Sequence, residues 1–332
     1  MFRALIVLML LAAVALGGGY YWFNAPGPAA ASGEETVIEL DHGMGLSAIG
    51  ERLQSAGVIP SGAFFALWLR ISQPGVHLRA GEYSIPSHAS MAEIAQILAH
   101  GKPILHHVTI AEGLTSAQAV RVLAANDVLI GSVAQTPPEG SLLPETYSFP
   151  RGMTRDELIA EMRAAHDRLM SELWPKRDPN IPLRTMDEAV TLASIVEKET
   201  AIPSERGRIA AVFENRLRKG MMLQSDPTVI YGISGGEPLG HGLRVSELQK
   251  QTPYNTYLIV GLPPTPIANP GRASIEAVLN PPDSKELYFV ANGSGGHVFS
   301  STLEEHQKNV AKWRKYEHEF LGGNAPALRR AP

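Results

Sequence analysis

An uncharged apolar run near the N-terminus is the feature that most constrains how this chain folds. No charge interrupts the sequence between Ala4 and Phe23, and this is about the length that a helix needs to cross a bilayer. The aromatic residues 20–23 at its far end are typical of a membrane interface, and Arg3 predicts that the short N-terminal side is cytoplasmic. We therefore predict that residues 1–24 form a cytoplasmic N-terminus and a single transmembrane anchor.

A cleaved signal peptide is the alternative interpretation of this run. The small residues 29–31 would suit a cleavage site, although the apolar region of a signal peptide is usually only about 7 to 15 residues long. Residues 25–34 are rich in Pro, Gly, Ala and Ser, a composition that predicts a flexible linker between membrane and folded part.

Composition limits the function classes. A chain of 332 residues is long for one compact domain, so two folded units with extensions are expected. The net charge of −4 lacks the basic excess of a nucleic-acid binder, so no nucleic-acid partner is predicted. The absence of cysteine excludes disulfides, thiolate metal sites and a cysteine nucleophile.

Hydrophobic periodicity predicts five small elements in a first subdomain, residues 35–105. They are a strand at Thr36–Leu40, helices at Leu46–Ala56 and Ala63–Arg70, a strand at Leu78–Ile85 and a helix at Met91–Ala99.

A second domain is predicted over residues 106–320, with helices mixed among short strands. Val108–Ile110 reads as a strand that leads into a helix capped by Thr115 or Ser116. Residues 287–290 and 296–299 read as a hairpin around a Gly-rich turn. The fold class is therefore predicted as α+β, and residues 321–332 as a disordered tail.

One helix of this domain ends in two carboxylates. Thr185 followed by Glu188 fits a capping box, and the residues after it are apolar nearly all round, which indicates a buried helix. At about 100° per residue, Glu197 falls on the same stripe as Val190, while Glu199 lies near the opposite border. Periodicity favours Glu197 only slightly as a desolvated, proton-exchanging acid. Two solvated helix-end charges are the alternative.

Polar and aromatic motifs follow this helix in a distinctive order. They are Ala193–Thr200, Phe213–Leu217, Leu223–Tyr231, Tyr254–Tyr257 and Gly261–Pro264. In these motifs the chain resembles the endolytic murein transglycosylase family (MltG or YceG-like), and the resemblance runs from about Val37 to Trp313. Residues 232–250 depart from the family pattern, which leaves the shape of one rim of the cleft open.

The resemblance implies a LysM-like subdomain at 35–105, although a packing module without glycan binding is equally compatible with its elements. It implies that Glu197 is the catalytic acid and base in a lytic transglycosylase. Such an enzyme cleaves the β-1,4 bond between N-acetylmuramic acid and N-acetylglucosamine within nascent peptidoglycan strands. The C6 hydroxyl of the substrate attacks C1 and leaves a 1,6-anhydro end, so one carboxylate suffices and the nucleophile is already in place.

The resemblance also implies a set of substrate-binding residues: Asn215, Gln224, Asp226, Thr228, Tyr254, Asn255, Tyr257, His297 and Glu199. From the residues alone, several of them have an ordinary alternative. Asn215 reads equally as a surface amide on a helix from about Glu205 to Arg218, Asp226 as a turn former before Pro227, and the tyrosines as core. Pro227 predicts an irregular backbone, a loop or short strand, around Gln224 to Thr228.

No cofactor is predicted. The histidines lack metal-ligand spacing, and the Gly cluster before His297 lacks the lysine of a P-loop and the spacing of a dinucleotide fold. Ser194 lacks a nucleophile-elbow context.

The partners that follow are peptidoglycan strands, the membrane and, by resemblance, peptidoglycan synthases. Location is predicted as a single-pass inner-membrane protein with a periplasmic catalytic part. A muramidase that adds water and a non-catalytic peptidoglycan-binding anchor are the alternatives.

Overall fold

Helices alternate with short strands along the chain. The computed structural model describes residues 2–320, and within that range the strands pair into three two-stranded sheets. This mixture confirms the predicted α+β class. The predicted disordered tail, residues 321–332, lies outside the described residues.

The chain divides into two compact units. The N-terminal unit runs to residue 107 and takes in two later segments, 127–130 and 148–154; the C-terminal unit contains 108–126, 131–147 and the chain from residue 155. The sequence prediction put the division after residue 105 and assigned both later segments to the second domain. These segments join through the Ile130 N–H, which donates to the Met153 carbonyl at 3.0 Å. Such a pairing between distant residues leaves no local sequence pattern.

Helix α1 (Phe2–Asn24) begins the N-terminal unit. Among the described residues it is the one helix long and apolar enough to cross a membrane, and at 1.5 Å per residue it is about 35 Å long. Its side chains are exposed until Phe23, which is buried against Phe65 with a centroid distance of 6.1 Å.

All five elements predicted after it are present. They are β1 (Glu35–Leu40), α2 (Leu46–Ser55), α3 (Gly62–Ser72), β2 (Gly81–Pro86) and α4 (Met91–His100). Strands β1 and β2 pair antiparallel with Ile38 opposite Tyr83. Alternation along the strands turns these two side chains inward, where they pack with Leu53, Phe65 and Leu98.

The segment predicted as a flexible linker is held by hydrogen bonds. Gly27 N–H donates to the His88 carbonyl at 3.1 Å, His88 N–H donates to the Pro28 carbonyl at 3.0 Å, and Ala30 N–H donates to Ser87 Oγ at 3.0 Å. The end of α1 is thereby tied to the loop after β2. A local composition rule cannot anticipate this, because the partners lie about sixty residues away.

The remaining elements belong mainly to the C-terminal unit. They are β3 (Leu105–Thr109), α5 (Ser116–Ala124), β4 (Thr146–Pro150), α6 (Arg155–Leu173), a 3₁₀ turn (Trp174–Lys176), α7 (Met186–Glu199), α8 (Pro203–Arg218), α9 (Asp226–Ser234), α10 (Val245–Leu248), α11 (Arg272–Leu279), β5 (Tyr288–Ala291), β6 (His297–Ser300) and α12 (Leu303–Phe320).

Helix α7 lies at the centre of this unit. Its predicted capping box is confirmed: Glu188 N–H donates to Thr185 Oγ1 at 3.1 Å, and Thr185 N–H donates to Glu188 Oε2 at 3.2 Å. Every residue from 189 to 196 is buried, and the helix packs against α8 and α11. Because so much of α7 is enclosed, its C-terminal residues are held firmly in position.

The predicted hairpin is also confirmed. Strands β5 and β6 pair antiparallel with Tyr288 opposite Ser300, and the Asn292 side chain accepts the N–H groups of Ser294 and Gly296 in the turn. This hairpin packs against α12 and forms one side of the region described next.

The prediction of a loop or short strand around Pro227 is wrong. Helix α9 begins at Asp226 with Pro227 in its first turn. Proline is tolerated there because the first N–H groups of a helix have no intrahelical acceptor. Gln224, just before the helix, has a positive φ of 52°, so the irregular backbone is confined to the approach to α9.

Candidate active site

A cavity of about 370 Å³ opens in the C-terminal unit at the end of α7. We call it the Glu199 cavity. It is bordered by α8, the start of α9, the β5–β6 hairpin and α12. Five of the predicted site residues line it: Glu199, Gln224, Asp226, Tyr257 and His297. Polar lining residues that were not predicted as site residues are Arg216, Tyr288, His306, Gln307 and Arg314.

Glu199 is the last residue of α7 and reaches the cavity half-buried. Helix α7 stops there because Thr200 turns to an extended backbone, with its N–H still donating to the Val196 carbonyl at 3.3 Å. Ser225 Oγ donates to Glu199 Oε1 at 2.6 Å. This hydroxyl holds the carboxylate in one orientation at the cavity wall.

Arg216 forms a cationic wall of the cavity. Its guanidinium donates to the carbonyls of Leu287 at 2.7 Å and Leu223 at 2.8 Å, and more weakly to Gln224 Oε1 at 3.3 Å. Burial lowers the pKa of Arg216, but from a value so high that the group stays protonated at neutral pH. In the sequence, Arg216 lies next to Asn215, and Asn215 was the residue predicted to bind substrate.

Asp226 and Tyr257 form a hydrogen-bonded pair on the cavity wall. The Tyr257 hydroxyl donates to Asp226 Oδ1 at 2.6 Å. Burial, followed by the charge of Asp226, raises the pKa of Tyr257, so the phenol keeps its proton. The pair therefore presents a fixed acceptor beside Glu199.

His297 is oriented by Glu205, a residue that the sequence reasoning did not select. The His297 N–H donates to Glu205 Oε1 at 2.9 Å, and His297 Nδ1 lies 2.7 Å from Glu205 Oε2. Burial raises the pKa of Glu205, but the hydrogen bonds from His297 outweigh it and lower the pKa below its usual value. A charged Glu205 thus fixes the imidazole that lines the cavity.

Glu197 lies in a different environment. Its Oε2 accepts the Gly271 N–H at 2.9 Å, at the start of α11, and its Oε1 is 3.9 Å from Arg206 Nη2. Only 7% of the side chain is exposed. Partial burial and then the charge of Glu197 raise the pKa of nearby Glu112. We call Glu197, Arg206, Gly271 and Glu112 the Glu197 cluster; Glu197 is not among the residues that line the cavity.

Four other predicted binding residues make contacts within the protein and do not line the cavity. Asn215 donates to the carbonyls of Ser284 at 2.8 Å and Glu286 at 3.0 Å. Asn255 is fully buried and donates to the carbonyls of Leu248 and Lys250.

The other two are Thr228 and Tyr254. Thr228 is fully buried, with its hydroxyl donating to the Ser225 carbonyl at 2.6 Å. The Tyr254 hydroxyl lies 2.7 Å from Thr265 Oγ1. The polar groups of all four residues are therefore occupied by contacts within the protein.

Helix α12 supplies one side of the cavity. Its lining residues recur at helical intervals, as Leu303, Gln307, Val310 and Arg314. The His306 ring stacks on Tyr288 with centroids 5.0 Å apart. The sequence signal for these residues is their spacing on one helix face. The many charged residues on the other faces of the segment make that spacing hard to recognise.

The cavity brings together the groups that general acid–base chemistry on a polar substrate requires. Glu199 can exchange a proton with a substrate oxygen, while Arg216, Gln224 and His297 supply donors for hydroxyl, amide or carboxylate groups. Within residues 2–320, no group of three or more His, Asp or Glu side chains is arranged to hold a metal ion.

Comparison with known proteins gives consistent matches. The model of the YceG-like family matches residues 38–312. A protein named endolytic murein transglycosylase from Bacillus subtilis is 30% identical over 92% of this chain and 92% of its own. One of the same name from Streptococcus pneumoniae D39 is 30% identical over 93% of this chain. This chain spans only 64% of the length of that streptococcal protein.

A solved structure is also similar. The crystal structure of a YceG-like protein from Listeria monocytogenes matches with 31% sequence identity and a TM-score of 0.51. The match covers 83% of this chain and 99% of the Listeria chain.

Proposed function

The chain belongs to the YceG-like family, and from that premise we propose that it is an endolytic peptidoglycan lytic transglycosylase. Its substrate would be the β-1,4 bond between N-acetylmuramic acid and N-acetylglucosamine inside nascent glycan strands, and its products would carry 1,6-anhydro ends. Such cleavage would end glycan elongation. The names of its relatives in Bacillus subtilis and Streptococcus pneumoniae support this activity.

The observation that carries the proposal is the carboxylate of Glu199 at the wall of the cavity, with Ser225 Oγ 2.6 Å away. We propose Glu199 as the acid and base, and this revises the prediction for Glu197. Enclosure of Glu197 against Gly271 and Arg206 favours a positioning role for it, holding the start of α11 against α7. Glu199, by contrast, has access to a substrate.

The reaction needs one carboxyl group in two states. Protonated Glu199 gives its proton to the glycosidic oxygen as the bond to C1 of N-acetylmuramic acid breaks. The C6 hydroxyl of the same sugar then bonds to C1, and its proton returns to the Glu199 carboxylate. Protons and bonds balance without added water, and the intramolecular nucleophile avoids the entropy cost of a second molecule.

The other cavity residues would bind and orient the sugar. Arg216 and Gln224 provide donors at one wall, and the charge of Arg216 favours the anionic form of Glu199 that is produced in the first step. The Asp226–Tyr257 pair and His297 would accept and donate hydrogen bonds to hydroxyl and N-acetyl groups.

The N-terminal unit would anchor the protein in the membrane and contribute a LysM-like subdomain. Helix α1 supports membrane anchoring, and the short basic side before it favours a single pass with the folded part outside the inner membrane. The order strand, helix, helix, strand, with β1 and β2 paired, supports a LysM-like subdomain within residues 35–105. Peptidoglycan synthases are proposed as partners on family resemblance alone.

A muramidase that adds water is the second candidate, because Asp226 lines the same cavity as Glu199 and hydrolases use two carboxylates. Product mass separates the candidates. Purified full-length protein incubated with uncrosslinked glycan strands should give internal cleavage products with anhydro ends, in the presence of a chelator as well. Products with reducing ends would establish the hydrolase. Intact strands would favour the non-catalytic peptidoglycan-binding anchor.

A further inference from the structure

Helix α3 carries an apolar face that α1 covers only in part. Leu67 and Ile71 are 55% and 59% exposed, and Phe64 and Trp68 lie half-exposed beside them. These positions share one side of the helix because residues three and four apart are neighbours. At 11 residues, α3 is far too short to span a bilayer.

This face is continuous with the outer end of α1. The Trp22 and Phe64 rings are 4.3 Å apart, and Phe23 and Trp68 are 5.9 Å apart. Gly19 permits the approach, since a Cβ there would lie 2.4 Å from the Trp68 ring. Trp22, at 43% exposure, extends the same apolar surface onto α1.

The depth of these contacts indicates what covers the face. Gly19 precedes the end of α1 at Asn24 by about 7 Å along the helix axis. The interfacial layer on each side of a bilayer is about 5 to 8 Å thick. If Asn24 reaches the outer surface, Trp68 lies near the boundary between head groups and acyl chains, a depth that tryptophan prefers.

Charge on α3 agrees with this location. The helix contains no acidic residue, and its single cation, Arg70, is exposed and donates to Ser47 Oγ at 2.9 Å. An apolar surface with a tryptophan and a basic group, but no acidic residue, suits the interfacial region of a membrane. The hydrogen bonds from residues 27 and 30 to residues 87 and 88 leave little slack for the N-terminal unit to move away.

We propose that the apolar face of α3, formed by Phe64, Leu67, Trp68 and Ile71, is embedded in the outer lipid interface beside α1. The N-terminal unit then lies on the bilayer surface rather than being suspended from it. This inference rests on the membrane anchoring proposed above and is independent of the catalytic assignment.

The absence of native cysteine permits a direct test with single-cysteine variants. Full-length Leu67→Cys and Ile71→Cys, labelled with a polarity-sensitive fluorophore, would be reconstituted in phosphatidylcholine nanodiscs that contain a spin-labelled lipid quencher. Val37→Cys is the matched control, because Val37 is an apolar residue of the same unit with 58% exposure. Leu10→Cys on α1 reports on anchoring.

The labels at 67 and 71 should lose most of their fluorescence to the lipid quencher, as the label at 10 does, while the label at 37 keeps nearly all of its own. Labels at 67 and 71 that behave like the label at 37 would overturn the proposal while leaving the anchor intact. An unquenched label at 10 would overturn both the anchor and this inference. Neither result depends on glycan cleavage.

Discussion

Two glutamates end helix α7, and their surroundings differ in nearly every respect. Glu199 lines an open cavity with a serine hydroxyl, a buried arginine and an aspartate–tyrosine pair near it. Glu197 is enclosed, with its carboxylate against an arginine and the N–H of Gly271, the residue just before α11. Two residues along a helix correspond to about 200° of rotation, so the two side chains must diverge.

Within about half a turn of helix, one glutamate is therefore placed for catalysis and the other for stabilising the fold. A change in the Glu199 cavity should alter the rate of cleavage and leave folding nearly intact. A change at an enclosed ionisable group should alter the free energy of unfolding, with little effect on the rate per folded molecule. Arg216 lines the cavity and is also buried, so it should affect both quantities.

Replacement of Arg216 should have the largest effect on stability. It lines the cavity but is only 7% exposed, and Arg216→Met would leave the carbonyls of Leu223 and Leu287 without its N–H groups. We expect the free energy of unfolding to fall by roughly 3 to 5 kcal/mol, measured by urea denaturation of the full chain in detergent. Arg163→Met, at an exposed position on α6, is the control; equal losses in the two variants would contradict the role of Arg216.

Glu214 should make stability depend on pH. It is fully buried in α8, Oε2 accepts from Arg218 at 3.0 Å, and Oε1 has no partner among the described residues. Burial, only partly offset by Arg218, raises its pKa from 4.5 to about 8. The folded state therefore retains a proton that the unfolded state loses, and stability falls as the pH rises through that window.

Glu214→Gln should remove this part of the pH dependence. The slope that disappears is at most about 1.4 kcal/mol per pH unit, so the variant should match the wild type near pH 4.5 and exceed its stability at pH 8. Urea denaturation at several pH values measures it, with exposed Glu161→Gln as the control. A wild-type curve that rises toward pH 8 as steeply as the variant's would refute the assignment.

Tyr257→Phe should have a smaller effect, and on rate. It keeps the ring but removes the hydroxyl that holds Asp226. We expect cleavage to slow by roughly 10- to 100-fold, equivalent to about 1.4 to 2.7 kcal/mol, with unfolding changed by less than about 1 kcal/mol. Tyr254→Phe, whose hydroxyl contacts Thr265 outside the cavity lining, should retain nearly full activity. Similar losses in both variants would remove the special role of the Asp226 pair.

Local patterns predicted the fold well where the determining interactions are themselves local. The capping box at Thr185 and Glu188, the alternation in β1 and the Gly-rich turn of the β5–β6 hairpin each lie within a few residues of sequence. Pro227 was misread because proline both breaks helices and begins them, and the choice depends on what precedes it.

The site was harder to predict, because the deciding contacts are long-range. A helix that is apolar nearly all round gives little directional signal, so periodicity could not separate Glu197 from Glu199. They differ because Gly271, some seventy residues later in the sequence, packs against Glu197 and donates a hydrogen bond to it. Likewise, Asn215 has an amide suited to sugars, but the carbonyls of Ser284 and Glu286, some seventy residues away, already occupy it.

The paired substitutions Glu199→Gln and Glu197→Gln test the central claim most directly. Formation of 1,6-anhydro ends from purified glycan strands would be measured for both, after circular dichroism shows that each is folded. Glu199→Gln should lose activity by about 10² to 10⁴-fold without loss of stability. Glu197→Gln should keep activity within about tenfold and lose about 1 to 3 kcal/mol of stability. A folded but inactive Glu197→Gln beside an active Glu199→Gln would contradict the account.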